Sequence, residues 1–415
     1  MFQPAQAVTG TRHDGQVVND NGGDIGIRHL YPIFQGQPPL SPFLGNTGHP
    51  VRHLIPVLIN LENNLAKVQV LLTEGANVNT KDHAGWTPLH EACNHGYEKI
   101  VKVLLDSGAL INTPGSENDT ALHDAVRNGR IGCVKLLVSR GACQTLRNAH
   151  GLMAKDYAFT DAMKEALTTD VLVTSSTPEL QSSTCTDGGP ICILATAFSR
   201  DLKVELRKLA SVINAKIVDD VSPEVTHVVI GVNKDGLCPR TLKYLKAVLA
   251  GKWIVTLDWL RTCVEYGYQV SEEPFEVAGS TSNPFSFAPF KGRMNKLKQL
   301  PRLFDGCQFY FHGAFNSPVP TKEELMDLVK QGGGHVLSRE PRLHTLDELN
   351  LTVPYHAVNC DNNISQCGLF IVYAEKTNDL TFHQHPKLCT VSVSCLMESI
   401  ATFFLCKLHG IIPQL

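Results

Sequence analysis

Thr87-Pro88-Leu89-His90 and Thr120-Ala121-Leu122-His123 stand 33 residues apart, and each is followed 18 residues after its His by a Gly-Ala pair, Gly108-Ala109 and Gly141-Ala142. A period of that length marks a supersecondary unit that buries its apolar face only by stacking on neighbours. Stacked units present a concave surface, which suits the gripping of a partner better than it suits chemistry. Working outward, Val68, Leu71 and Leu72 carry helical spacing into Gly75-Ala76-Asn77-Val78-Asn79, one period before Gly108-Ala109-Leu110-Ile111-Asn112. A partial repeat therefore precedes two full ones, at about 83–115 and 116–148. Gly151 to Leu167 reads as a variant unit closing the stack, so the repeat region covers residues 65–167.

The chain has 415 residues, 43% of them hydrophobic, which predicts about three domains. A net charge of -3 argues against a broad nucleic-acid surface while leaving room for a local basic site. The 13 cysteines show no disulfide-like framework, so a reducing compartment is expected. Residues 1–60 are rich in Gly, Pro, Asn and Gln, lack cysteine and read as a disordered or poorly packed leader. Residues 168–189, rich in Ser and Thr with Pro178 and Gly188-Gly189, read as a linker. Met1 to Gly15 has no signal-peptide pattern, and no apolar run nears the roughly 20 residues of a membrane span, so a soluble intracellular protein with no membrane partner is expected.

Beyond the linker, strands alternate with helices. Ile191–Thr196, Thr226–Ile230, Cys307–Phe311 and Leu369–Tyr373 read as buried strands. Asp201–Ile213, Thr241–Ala250, a segment around Trp259, Thr321–Gln331 and Val393–Leu405 have helical spacing. The order occurs twice, as two α/β units over 190–278 and 303–412.

The 33-residue unit resembles the ankyrin repeat. Thr226-His227-Val228-Val229-Ile230, Gly251-Lys252-Trp253-Ile254-Val255 and the helix with Trp259 resemble a BRCT domain, followed by a second in tandem. The fold class expected is multidomain, an all-α ankyrin solenoid followed by two α/β BRCT domains. This combination, with Lys81 to Gly96 and Leu303-Phe304-Asp305-Gly306-Cys307, resembles the RING-bearing family that partners the breast-cancer type one susceptibility protein. The resemblance implies a nuclear chromatin or nucleosome reader in the DNA damage response and homologous recombination repair. Two departures stand out. No cysteine precedes Cys93, so zinc ligands of a RING are not supplied here, and neither ligase chemistry nor a RING-mediated heterodimer is expected of this chain. In the second BRCT unit, Cys395 stands where the resemblance implies a buried Trp, which predicts a loosened or rebuilt final helix.

Glu91 and Asp124 occupy one position in successive repeats, so stacking puts both carboxylates on one face. With Asp82, Trp86 and Asn94 beside them they offer an ammonium group several acceptors, and each added methyl removes a donor. Read from the residues alone, a solvated acidic rim is the favoured explanation, since surface charges usually face water. The resemblance implies a pocket for an unmethylated lysine on a nucleosomal histone tail.

Thr196 ends the first strand of the first BRCT unit, and Thr241 and Lys243 open its second helix. Hydroxyls, a cation and a helix start suit phosphate, although Thr241 also reads as an ordinary N-cap and Lys243 as a solvated side chain. The resemblance implies binding of a phosphoprotein or poly(ADP-ribose), with Ala195-Thr196-Ala197 where the family has Gly-Ser-Gly. Asp361 matches the loop by which the family engages the nucleosome near a ubiquitin-marked histone, and reads otherwise as a plain surface loop. Cys360, Cys367, His383, His385, Cys389 and Cys395 fit no zinc spacing, and Gly332 to Gly334 follows a helix rather than opening one. No metal, cofactor or enzymatic motif is expected. A non-enzymatic adaptor that binds ordinary helices or loops is the competing reading.

Overall fold

A computed structural model of the chain describes residues 64–168, 190–342, 346, 351–357, 367–374 and 387–405. The repeat region forms paired helices. α1 (Leu65–Thr73) is the outer helix of the first repeat, α2 (Pro88–His95) and α3 (Glu98–Asp106) form the second, and α4 (Ala121–Arg127) with α5 (Ile131–Ser139) form the third. A closing helix, α6 (Asp161–Thr168), packs on α5.

The repeated tetrapeptide acts at each helix start. Thr87 Oγ1 and the Thr87 backbone N–H meet His90 Nδ1 at 2.8 and 3.2 Å, and Thr120 and His123 repeat this at the same distances. The far ring nitrogens reach onward, His90 Nε2 to the Asp119 carbonyl at 3.2 Å and His123 Nε2 to the Leu152 carbonyl at 3.1 Å. Each His therefore caps its own helix and ties it to the next hairpin. Its Nδ1 accepts and its Nε2 donates, which requires the neutral ring. Burial supports this form, pushing His90 down to about 4. Gly108 and Gly141 follow the outer helices at φ +85° and +83°, left-handed positions that exclude most side chains. Leu89, Ala92, Val101, Leu104, Leu122, Val134 and Leu137 are fully buried between the stacked pairs.

From residue 190 onward lie two four-stranded parallel sheets of the same topology. The first joins β1 (Cys192–Thr196), β2 (Lys216–Val218), β3 (His227–Ile230) and β4 (Trp253–Val255) in the order β2-β1-β3-β4. Its helices are α7 (Arg200–Val212), α8 (Leu242–Leu249) and α9 (Leu257–Tyr266). After a connecting helix α10 (Ala288–Leu297), the second joins β5 (Gln308–His312), β6 (His335–Val336), β7 (Leu369–Tyr373) and β8 (Leu388–Ser392) as β6-β5-β7-β8, with α11 (Lys322–Gln331) and α12 (Val393–Thr402). Such sheets are covered on both faces, which is why His227–Ile230 and Leu369–Val372 are buried without alternation.

α8 packs against α10, α11 and α12, and one apolar cluster runs from Val228 and Ile230 through Leu245 and Val248 to Leu328, Phe370, Leu396 and Ile400. The expected looseness of the final helix meets this packing as a difference. Cys395 is the third residue of α12, as Trp259 is of α9, and Trp259 stacks on His227 at 4.4 Å. α12 has no such ring, but Cys395, Leu396, Ser399, Ile400 and Ala401 are buried, and α12 lies on α8 and α10 of the preceding unit. Its burial comes both from β7 and β8 of its own sheet and from the junction between units.

The ankyrin stack touches the second half of the chain through polar contacts. Gln299 Nε2 donates to the Asn79 carbonyl at 3.1 Å, Thr113 Oγ1 to the Lys298 carbonyl at 2.9 Å, and the Val353 N–H to the Ala149 carbonyl at 2.8 Å.

Candidate functional site

The hairpin before α2 places Asp82, whose Oδ1 accepts from the Trp86 and Ala84 N–H groups at 2.7 and 2.9 Å. Trp86 is half-buried, with its ring centroid 6.3 Å from that of His90. Glu91 lies in the first turn of α2 and is buried. Burial first and the nearby Asp82 charge second raise its carboxyl to about 7. His95, one turn on, brings Nε2 to 3.7 Å from Glu91 Oε2.

Asp124, in the first turn of the adjacent α4, is 2% exposed and raised to about 8. Desolvation is the largest cause. Asp119 and Glu91 push the same way, and Arg127 pulls back. Arg127 pairs with Asp119, stands 3.9 Å from Asp124 Oδ1, and lies 4.7 Å over the Tyr157 ring. Asp124 Oδ2 is buried without a hydrogen-bond partner. A buried, unpaired carboxylate oxygen is costly, and a cation brought to it removes the cost.

Asn94 enters through Asn128, whose Nδ2 donates to Asn94 Oδ1 and to the Asp124 carbonyl, both at 2.8 Å. Four of the five residues read from the sequence thus act on one another by bond or charge, and the fifth is linked through a bridge. Sequence reading missed Asp119, Arg127 and Asn128. The same repeat spacing reaches them, since Asp119 is the counterpart of Trp86, Arg127 of Asn94 and Asn128 of His95.

At the second candidate site, Thr196 is buried at the carboxyl end of β1, and Thr241 caps α8 with Oγ1 accepting from the Tyr244 N–H at 3.1 Å. The strands are parallel, so the end of β1 and the start of α8 lie at the same edge of the sheet. Lys243 Nζ donates to the Asp219 carbonyl just beyond β2, the neighbour of β1. A carbonyl satisfies the donor without neutralising the ammonium. Ala197, where the expected sequence has glycine, adopts φ +61°. The Gly231 N–H donates to the Thr196 carbonyl at 3.1 Å, and a Cβ on Gly231 would fall 2.1 Å from the Ala197 carbonyl oxygen. The turn is kept with a residue that strains it.

Asp361, Cys360, His383 and His385 lie outside the described residues. Among the described residues no group of three or more His, Cys, Asp or Glu is placed to hold a metal ion, and no helix is long and apolar enough to cross a membrane.

Residues 57–148 match the family model for ankyrin repeats in three copies, and residues 190–264 match that for the BRCA1 C Terminus (BRCT) domain. BRCA1-associated RING domain protein 1 of Mus musculus is 34% identical over 58% of this chain and 29% of its own length. The Homo sapiens protein of that name is 36% identical over 56% and 28%, and that of Arabidopsis thaliana 36% over 37% and 21%. The chain carries ankyrin repeats and a BRCT domain and is homologous to BRCA1-associated RING domain protein 1. It spans under a third of the length of these relatives. In this ankyrin and BRCT chain the acidic cluster falls within the ankyrin match, and Thr196, Thr241 and Lys243 within the BRCT match.

Proposed function

We propose that this chain is a nuclear chromatin reader acting in BRCA1-related DNA repair, including the damage response and homologous recombination. Its ankyrin face takes an unmethylated histone lysine. Its BRCT half meets a phosphorylated or ubiquitin-marked partner surface, with poly(ADP-ribose) as a further phosphate-bearing ligand. Homology to the BRCA1-associated protein supports the setting. The observation that carries the reading is Asp124 Oδ2, a buried acceptor without a partner beside two other carboxylates.

An ammonium placed there donates charge-assisted hydrogen bonds to Asp124, Glu91 and Asp82 at once. Dimethylation leaves one donor and adds bulk, so the pocket discriminates by donor count and by space. Two modest sites engaging one nucleosome gain avidity from being linked. The adaptor reading draws on two contacts: Arg127 already pairs with Asp119, and Thr241 spends its hydroxyl on its own helix.

Pull-down of nucleosomes differing in one histone lysine methyl mark and in ubiquitin separates the two. Retention of the unmethylated, ubiquitin-marked form over the dimethylated form is expected. Equal retention of all forms contradicts the reader and leaves the adaptor.

A further inference from the structure

Where the ankyrin stack meets the helical junction of the two α/β units, a cavity of about 590 Å³ opens. Four of its lining side chains are cations, Lys81, Lys252, Lys296 and Arg302, and none is a carboxylate. They come from four separate segments: the hairpin before α2, the turn into β4, α10, and the approach to β5. Two glycines bring two of these together. A Cβ on Gly251 would lie 2.8 Å from the Gly292 carbonyl oxygen and 2.8 Å from Lys296 Cβ, and one on Gly292 would lie 2.2 Å from the Val248 carbonyl oxygen. No larger residue lets α10 run this close to the turn that ends α8, and the approach sets Lys252 beside Lys296.

The charges are held at a cost. Burial lowers the pKa of Lys252, and the Lys296 charge lowers it further. Burial lowers that of Lys81 as well. Lys81 Nζ donates to the Pro114 and Gln299 carbonyls at 2.8 and 3.3 Å, and Lys252 Nζ to the Pro223 carbonyl at 2.9 Å. Carbonyls satisfy N–H groups and leave the positive charge standing. Among the described residues none of the four cations forms an ion pair with a carboxylate. Gln331 also lines the cavity, and its Oε1 is buried without a partner, so an occupant with a hydroxyl donor has a place for it. A smaller adjoining cleft shares Lys81 and Arg302 and contains Asp305, which accepts from Asn118 Nδ2 at 3.3 Å.

We propose that this cavity binds a small, multiply phosphorylated and hydroxylated molecule, whose anionic groups bridge the ankyrin stack and the two α/β units. The volume lies in the range of small-ligand sites, roughly 300–1,000 Å³. A nucleic acid draws on an extended positive surface instead, and the net charge of -3 gives no sign of one. Clustered phosphates occur on polyols and on nucleotides, and both present the same chemistry to these cations. The inference uses neither the acidic cluster nor Thr241 and Lys243, so it stands or falls apart from the reader function.

The test uses the full chain at low salt, with inositol hexakisphosphate as the polyol arm, ATP as the nucleotide arm and sulfate at matched ionic strength as the control. One of the two arms should raise the melting temperature above the sulfate control. Lys252→Gln and Lys296→Gln should each weaken that arm by about tenfold or more, the scale of a lost charged hydrogen bond. Lys135→Gln, at an exposed position of α5 outside both clefts, should leave it unchanged. Because the Gln variants relieve like-charge repulsion, without ligand they should melt no lower than the parent. Chemical acetylation of the parent gives a reading free of any mutation: the bound arm should shield Lys252 and Lys296 but not the exposed Lys135. Any of three results overturns the proposal: neither arm exceeding sulfate, Gln variants binding as the parent does, or a short DNA duplex outcompeting both arms at these lysines.

Discussion

Arg127 Nη1 stands 3.9 Å from Asp124 Oδ1, near enough to offset part of its charge but too far to bond it, while Asp124 Oδ2 has no partner at all. The helix pair thus holds a carboxylate that the fold itself only half satisfies. Sites arranged at the expense of stability are where function concentrates, because the missing interaction is the one a ligand supplies.

Stability of the ligand-free ankyrin stack should fall as pH rises from about 6.5 to 8. Glu91 and Asp124, raised to about 7 and 8, keep protons in the folded state that the unfolded chain has already released, so ionising them opposes folding. The buried histidines act the other way at lower pH. From the ordinary carboxylate range near pH 4 upward the two carboxyls already lower stability, and His90, pushed down to about 4, offsets part of that loss until pH passes its ordinary value, near 6.5. Thermal melts from about pH 4 to 8 should therefore show the steeper fall above pH 6.5, and a curve still rising at pH 8 would rule out the carboxylate account.

Glu91→Gln should melt higher than the parent at pH 8 and little differently at about pH 4, where Glu91 is protonated in both states, because it keeps the shape and removes the charge. Glu91→Ala should weaken an unmethylated lysine peptide by about 1.5 to 3 kcal/mol, the range for hydrogen bonds to charged groups. Gain in stability together with loss of binding is the expected pairing, read by melting and calorimetry on the same protein.

Ala197→Gly should stabilise the first α/β unit by about 1 kcal/mol, since Ala197 holds φ +61° and glycine takes that conformation without strain. Gly231→Ala should do the reverse, because its Cβ would fall 2.1 Å from the Ala197 carbonyl oxygen. Denaturant midpoints of the two variants measure this. Lys243→Ala in the same unit should reduce binding of a phosphopeptide or poly(ADP-ribose), and the remaining affinity should depend less on salt because a charge contact is gone.

Exchange of α12 amides should be as slow as that of α9, since α12 is packed on α8 and α10 despite having Cys395 at the place of a ring. Cys395→Trp should then overpack the junction at a cost of about 1 to 3 kcal/mol. Fast exchange over 393–402, with a stabilising Cys395→Trp, would restore the reading of a loose terminus.

The repeats were legible because their signals are local and periodic: a capping His, a left-handed Gly and a fixed spacing each state one geometric need. The buried strands were legible as apolar runs. β2 and β6, three and two residues long, are too short to show a period. α10 escaped for a different reason. Its buried positions are Ala288, Pro289, Gly292 and Asn295, chosen for close approach and hydrogen bonding, so no apolar stripe appears. Within the acidic cluster, Glu91 and Asp124 stood out as like residues at like positions. Asp119 and Arg127 did not, because their counterparts Trp86 and Asn94 are of other types. The cationic cavity could not be read at all: Lys81 and Arg302 are brought together only by the docking of stack and sheets.

The central claim, that a buried and partly protonated carboxylate pair receives a lysine ammonium, is tested most directly by calorimetry. An unmethylated lysine histone-tail peptide is titrated at pH 7 in two buffers of different ionisation enthalpy. Bringing a cation to Glu91 and Asp124 favours their ionised forms, so binding should release protons and the apparent enthalpies should differ between buffers. Affinity should also rise from pH 6 to 8. Identical enthalpies in both buffers, with affinity flat across that range or equal for the dimethylated peptide, would contradict the account.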